Sequence, residues 1–196
     1  MNKEIIEKKL KNTLSENRFR HSLSVARESE KLAKFHKVPV ELAYLAGIMH
    51  DCAKEFSVRD SLEILKKHNV ALDKISLNEN KLLHAHVGAI VAREEYGIKD
   101  SQVLDAIRYH TTAKENMSSL LKIIYVSDSI DPTKKHDSTA YVRRLSFNNL
   151  NKASLVVLTE TINRLISRNS LIHPNTFQAR NDLIIKSIKI FKKKVN

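Results

Sequence analysis

The sequence predicts an all-α protein, a compact multi-helix bundle, and three observations lead there. Only three glycines and three prolines interrupt 196 residues, too few breakers for a many-turned β fold. Apolar residues recur at three- and four-residue steps along most of the chain, the period of one helical face. No stretch alternates with period two for long enough to argue a sheet.

The elements follow in order. Residues 3–15 carry Ile5, Ile6, Leu10 and Leu14 on one face, and residues 18–36 continue with Leu23, Ala26, Leu32 and Ala33. Pro39 suits the first turn of a helix running through ELAYLAGIMHD. That segment is apolar almost all round, which marks it as the central buried helix. Ser57 with Asp60 three residues on resembles a capping box and opens a helix to about His68. A pattern over 82–96 ends at Gly97 in a C-cap position, and Asp100 opens another over 100–110. The helix at 118–130 is stopped by Pro132. Segment 131–140, DPTKKHDSTA, reads as a flexible loop. Two long patterns, 149–168 and 175–193, meet at the Pro174 turn. With no linker or repeat, the chain reads as one domain over 1–196, its core at about 18–131 and its C-terminal helices at about 138–193.

Composition narrows the function classes. No apolar run approaches the roughly 20 residues that span a bilayer, and the charged start MNKEIIEKKLKN lacks a signal peptide's apolar stretch. The single cysteine, Cys52, excludes an internal disulfide framework. A cytoplasmic protein is expected. A net charge of +12 draws polyanions such as nucleotides. The densest basic run, Lys186 to Lys194, lies on a terminal helical pattern and reads as a solvated face. No RNA-binding signature or aromatic-interleaved basic stripe is present, which disfavours nucleic acid as the main ligand. Ile and Leu on the last two helical patterns would suit a homodimer if they stay exposed.

The residues that carry chemistry interrupt these apolar helices. His50 and Asp51 close the run LAGIMHD; His21 sits early in its helix; His84 lies in LLHAHVGA, His110 in IRYHTT and Asp128 in IIYVSDSIDP. A carboxylate beside an imidazole at the end of a buried helix is costly unless something compensates both, and a divalent metal does so. One such residue is ordinary in a core; six in this order are not. Imidazole and carboxylate donors suit iron, manganese or zinc, and the near-absence of thiols argues against a structural zinc cage.

At this point the chain resembles the HD superfamily of phosphohydrolases, whose signature is H…HD…D on successive helices. RHSLSVARESEKLA, LAGIMHDCAKE, LLHAHVGAIVA, VLDAIRYHTT, SDSIDP and the late TINRLI…HPNT narrow the resemblance to the YqeK family. Those are bacterial enzymes that cleave diadenosine tetraphosphate symmetrically to two ADP. The resemblance runs from Arg20 to about Asn181. It implies an HD-domain bundle with two divalent metal ions, iron being the expected metal and manganese or cobalt the alternatives. His21, His50, Asp51 and Asp128 would hold one ion; His84 and His110 would hold the other, with Asp51 as the bridge. A hydroxide at such a site would attack phosphorus. The small-molecule partner would then be a nucleotide, with Asp51 and Lys54 in catalytic roles.

Contacts to substrate are expected from Lys54, four residues after His50 and one turn along if the helix continues. Arg20 beside His21, Thr111 and Thr112 after His110, and Lys134, Arg143 and Arg144 around the later loop are expected to contact phosphates or base. The sequence departs from the family at Ala113, where glycine is usual and would permit positive φ, and at Ser127, Asp131 and Lys134. His86 cannot share a helical face with His84 and is not expected to ligate. His36, His68, His136 and His173 read as surface or loop residues, and Cys52 as a small buried filler. The alternatives are an HD hydrolase of a mononucleotide, deoxynucleoside triphosphate or cyclic nucleotide, a non-catalytic nucleotide sensor, and a nucleic-acid-binding protein.

Overall fold

The computed structural model describes the backbone of residues 3–131 and 138–195. These residues form eleven α-helices and one 3-10 turn, with no strand among them. α1 (Lys3–Thr13) precedes α2 (Glu16–His36), whose N-terminus is capped by the Ser15 hydroxyl. α3 (Val40–Met49) is the central helix, with Ala43, Tyr44, Ala46, Gly47, Ile48 and Met49 all buried. α4 (Val58–Lys67) is capped by Ser57, whose Oγ accepts from the Asp60 amide at 3.0 Å. A short α5 (Lys74–Asn78) and a 3-10 turn (Asn80–Leu82) lead into α6 (Leu83–Glu94). Asp100 caps α7 (Ser101–Tyr109) and Ser118 caps α8 (Ser119–Ser129). The chain ends in α9 (Thr139–Asn148), α10 (Leu150–Ser167) and α11 (Pro174–Val195).

α2, α3, α7 and α8 pack on one another, α6 closes against α7 and α4, and α10 covers α8 from the far side, flanked by α9 and α11. One hydrophobic cluster joins them, from Ile6 in α1 to Leu183 in α11. The closest approach is between α2 and α3. A Cβ on Gly47 would lie 2.7 Å from Ala26 Cα, so any side chain there would force the two helices apart. Gly47 is three residues before His50, and Ala26 lies five after His21. The tight crossing therefore sets those two imidazoles side by side.

Helix boundaries differ from the expected ones by a few residues, with three informative departures. The central helix stops at Met49. HDCAKE continues as tight three-residue turns, Cys52 N to Met49 O and Lys54 N to Asp51 O, each 3.0 Å. Lys54 thus does not extend a helix. α5 was not expected, because five residues are too few to show a period. α9 begins at Thr139, inside the segment expected to be loop; of that segment, residues 132–137, including Lys134 and His136, lie outside the described residues.

The turn after α7 holds a further finding. Ala113 takes φ +57°, the left-handed region where its Cβ costs roughly 1–2 kcal/mol. The turn keeps the backbone that glycine would favour although its residue is alanine. Thr176 of α11 secures it by donating to the Thr112 carbonyl at 2.9 Å.

Candidate metal centre

His21 from α2, His50 and Asp51 from the end of α3, His84 from α6 and His110 from the end of α7 converge in the interior, and all five are buried. Their donor atoms form two groups, His21 with His50 and Asp51, and His84 with His110 and Asp51, each within 4.8 Å. Asp51 faces both. Its Oδ1 lies 3.1 Å from His84 Nε2 and 3.5 Å from His110 Nε2. Its Oδ2 lies 3.5 Å from His50 Nε2 and 3.7 Å from His21 Nε2. Asp128 from α8 adds its Oδ1 to the first group, 3.1 Å from His21 Nε2 and 3.8 Å from His50 Nε2.

The outer ring nitrogens decide what the inner ones can do. His50 Nδ1 donates to the Gly47 carbonyl at 2.7 Å and His110 Nδ1 to the Ile107 carbonyl at 2.8 Å. Both acceptors lack a proton, so both nitrogens must carry one, and the Nε2 lone pairs point inward. His21 Nδ1 is held in the same way by the buried Asp131 carboxylate. The inner nitrogens of His21 and His50 then face each other at 3.2 Å, lone pair to lone pair. His84 and His110 Nε2 are also 3.2 Å apart. Two lone pairs facing each other, as in the His21–His50 pair, repel unless a cation lies between them, and the donor set fits a pair of divalent metal ions.

The electrostatics agree. Burial pushes His50 and His84 down to about 4, so both rings are neutral and able to ligate near pH 7. Burial alone would raise Asp51. The surrounding imidazoles, His50 and then His110 and His84, outweigh it and hold the carboxyl well below the usual carboxylate range.

Cationic groups rim the centre. Lys54 Nζ comes within 3.2 Å of His84 Nε2 and 3.9 Å of Asp51 Oδ1, although the helix expected to carry it there has ended. Arg18 Nη1 pairs with Asp51 Oδ2 at 2.7 Å. Two cavities adjoin. The larger, about 550 Å³, runs between the 3-10 turn, α8 and α10, lined in part by Lys81, Tyr125, Glu160 and Arg164. The smaller, about 440 Å³, opens toward the start of α2 and is lined by Ser15, Asn17 and Arg18. Lys54, His110, Thr111 and Asp128 line both. Both volumes lie in the range of small-molecule sites.

The expected substrate contacts fare unequally. Thr111 lines both cavities. Thr112 does not: its buried hydroxyl donates to the Ala113 carbonyl at 2.9 Å. Arg20 is largely exposed, 3.2 Å from Glu16 one turn back, and lines neither cavity. Arg143 donates to the Ile130 carbonyl and lies 3.8 Å from Glu28, so it braces α9 against α2 and α8. Arg144 lies on a separate surface with Tyr141, Leu145 and Asn148. His86 joins neither ligand group. His173 is not a free surface residue; it pairs with Asp73 at 2.9 Å and ties the start of α11 to the α5 cap. His36 likewise donates to the Ser146 carbonyl at 2.7 Å. Cys52 is a buried filler, its Sγ 3.5 Å from the Gly88 carbonyl.

Arg18 and Asp131 were missed. Helical spacing identifies both: Arg18 is three residues before His21 and shares its face, whereas the adjacent Arg20 cannot. Asp131 follows Asp128 by the same interval.

Residues 18–133 match the family model described as HD domain, and that span contains every residue of the centre. The chain belongs to the HD-domain family. Its HD relatives include a Halalkalibacterium halodurans protein named bis(5'-nucleosyl)-tetraphosphatase, symmetrical, 37% identical over 88% of this chain and 92% of that protein. A Bacillus subtilis protein of the same name is 33% identical over 94% of this chain and 98% of its own length. Among solved structures, a Clostridium acetobutylicum protein described as a predicted HD superfamily hydrolase involved in NAD metabolism superposes with TM-score 0.91 and 36% identity. That match covers 95% of this chain and 98% of the other. Among the described residues, no helix of this HD protein is long and apolar enough to cross a membrane.

Proposed function

We propose that this protein is a symmetrical dinucleoside tetraphosphatase, a metal-dependent hydrolase that cleaves diadenosine tetraphosphate into two ADP. The observation that carries the reading is the pair of cavities meeting at the centre, where Asp51 belongs to both donor groups. A substrate made of two like halves joined by a phosphate chain can lay one half in each lobe, with the chain's middle at the ligands. Both named relatives above support the substrate class.

His21, His50, Asp51 and Asp128 would hold one ion, and His84, His110 and Asp51 the other. Iron is the expected metal, with manganese or cobalt the alternatives. Two such ions would supply Lewis acidity and would lower the pKa of a water for attack on phosphorus. The chain's own groups do the rest. Asp51, ionised and facing both groups, offsets the cationic charge. Lys54 and Arg18 neutralise the charge that grows on the phosphate oxygens, an effect strengthened in a partly dry site. Thr111, at the junction of the lobes, offers a hydroxyl to the chain. His21 is kept in one orientation by Asp131.

A cytoplasmic location and a homodimer belong to the same reading. Ile166, Ile185 and Ile188 stay exposed on the last two helices and supply an apolar face for a second copy; light scattering checks it.

The functional test is an anaerobic assay of protein loaded with iron or manganese against diadenosine tetraphosphate, with products separated by chromatography. ADP as sole product is expected. AMP with ATP, or no cleavage by protein holding about two metals per chain, would overturn the reading.

A further inference from the structure

The wall of the larger lobe contains a polar group that no described residue matches with a hydrogen bond of ordinary geometry. Tyr125 lies on α8, three residues before Asp128 and on the same helical face. It is 5% exposed and lines the lobe. Its hydroxyl is shielded from solvent and makes no hydrogen bond of ordinary geometry. The Thr161 side chain of α10 lies near enough to interact with it. A buried, unmatched hydroxyl costs about 1–3 kcal/mol, and a phenylalanine would fill the same volume without that penalty. Other apolar positions of α8, such as Ile123 and Ile124, carry no polar atom. Among the described residues the hydroxyl has no hydrogen-bond partner of ordinary geometry, which leaves it open to one from outside the protein.

The position restricts what that partner is. Tyr125 stands one helical turn from Asp128, and in the lining of the same lobe Lys54, Lys81 and Arg164 outnumber Asp128 and Glu160, which favours an anion. Burial pushes the phenol up to about 12, so it stays protonated at neutral pH and serves as a donor. The group that meets a neutral donor in a cationic pocket beside a metal centre is a phosphate oxygen.

We infer that Tyr125 is a binding residue for the nucleoside diphosphate half held in the larger lobe, donating its Oη hydrogen to a non-bridging phosphate oxygen one step removed from the reacting phosphorus. The inference rests on the proposed function for the identity of the substrate, but not for the lobe's affinity for a nucleoside diphosphate. It makes this lobe the higher-affinity of the two: it offers a pre-formed buried donor, whereas the smaller lobe is framed by Ser15, Asn17 and Arg18 at the mouth.

The test is Tyr125→Phe, measured in two ways. Calorimetric titration of the manganese-loaded protein with ADP is expected to show affinity weakened about tenfold, the scale of one hydrogen bond to a charged acceptor. Thermal melting of the metal-free variant is expected to give a midpoint equal to or above that of the wild type, because the unmatched hydroxyl is gone. For diadenosine tetraphosphate, KM should rise by a similar factor with kcat changed less. Unaltered ADP affinity in Tyr125→Phe overturns the inference, as does a lowered melting midpoint, which would mark the hydroxyl as part of the protein's own framework. Thr161→Val gives a second check: weaker ADP binding supports the pair, and wild-type binding in both variants overturns it. Wild-type protein that binds ADP through Tyr125 without cleaving the tetraphosphate would sink the proposed function and leave the inference standing.

Discussion

The two sides of the site are built on different terms. On the ligand side, α2, α3 and α7 present imidazoles whose outer nitrogens are already committed, to Asp131, the Gly47 carbonyl and the Ile107 carbonyl. Their orientation is set by the protein's own groups. On the substrate side, the 3-10 turn, α8 and α10 present Lys81, Tyr125 and Arg164 around an open volume, and the Tyr125 hydroxyl there has no ordinary partner. The difference reflects what each side must hold. A metal ion tolerates little error in donor position, so second partners lock the donors. A nucleotide arrives with its own hydrogen-bonding groups, and the wall can leave some of its groups for it.

That contrast is sharpest at Asp51, the group shared by both halves of the ligand side. Asp51→Ala is expected to reduce hydrolysis to background and to lower bound metal below one ion per chain by elemental analysis. Turnover within a few-fold of wild type would break the dinuclear reading.

Asp131 tests the locking itself. Asp131→Asn keeps the shape but removes the charge behind His21. Metal affinity should fall by roughly 10- to 100-fold, measured by competition with a chelator, while the residual protein keeps its product pattern. An unchanged affinity would mean that the Asp131 contact does not tune the centre.

Proton competition separates the two sides without mutation. His50 and His84 have folded values of about 4, below the ordinary 6.5, so the unfolded chain binds more protons between those limits. Stability from these two groups is fully present above about 6.5 and is lost as pH falls toward about 4. Melting midpoints of the metal-free protein are expected to drop from pH 7.5 to pH 5. A flat profile would contradict the burial of these rings.

The smallest effect is expected at the turn joining the two sides. Ala113→Gly relieves the left-handed strain of roughly 1–2 kcal/mol but loses a buried methyl and adds chain entropy, each about 0.5–1 kcal/mol. The terms nearly cancel. Denaturant titration should place the variant within about 1 kcal/mol of wild type; a larger loss would show that the methyl, not the backbone, fixes the turn.

The sequence by itself determined the helical class, because apolar spacing and scarce breakers are local properties that tertiary contacts did not override. Helix starts at Ser57 and Asp100 were legible for the same reason: a cap is decided by residues two or three apart. The histidines and aspartates that converge in the interior were legible as candidates, because such residues interrupting apolar runs are conspicuous. Tertiary structure decided most of which basic residues meet the centre. Arg20, Arg143 and Arg144 were expected there; Arg18, which was not, pairs with Asp51. Their assignments turned on which face of α2 points inward, and on Glu28 and Ile130, which engage Arg143 from other elements. It also decided that Lys54 reaches His84 after the helix has ended, and that Tyr125 is buried without a match. A cation's role depends on what stands opposite it, and that is set by helix crossings such as Gly47 against Ala26, which no local pattern in the chain encodes.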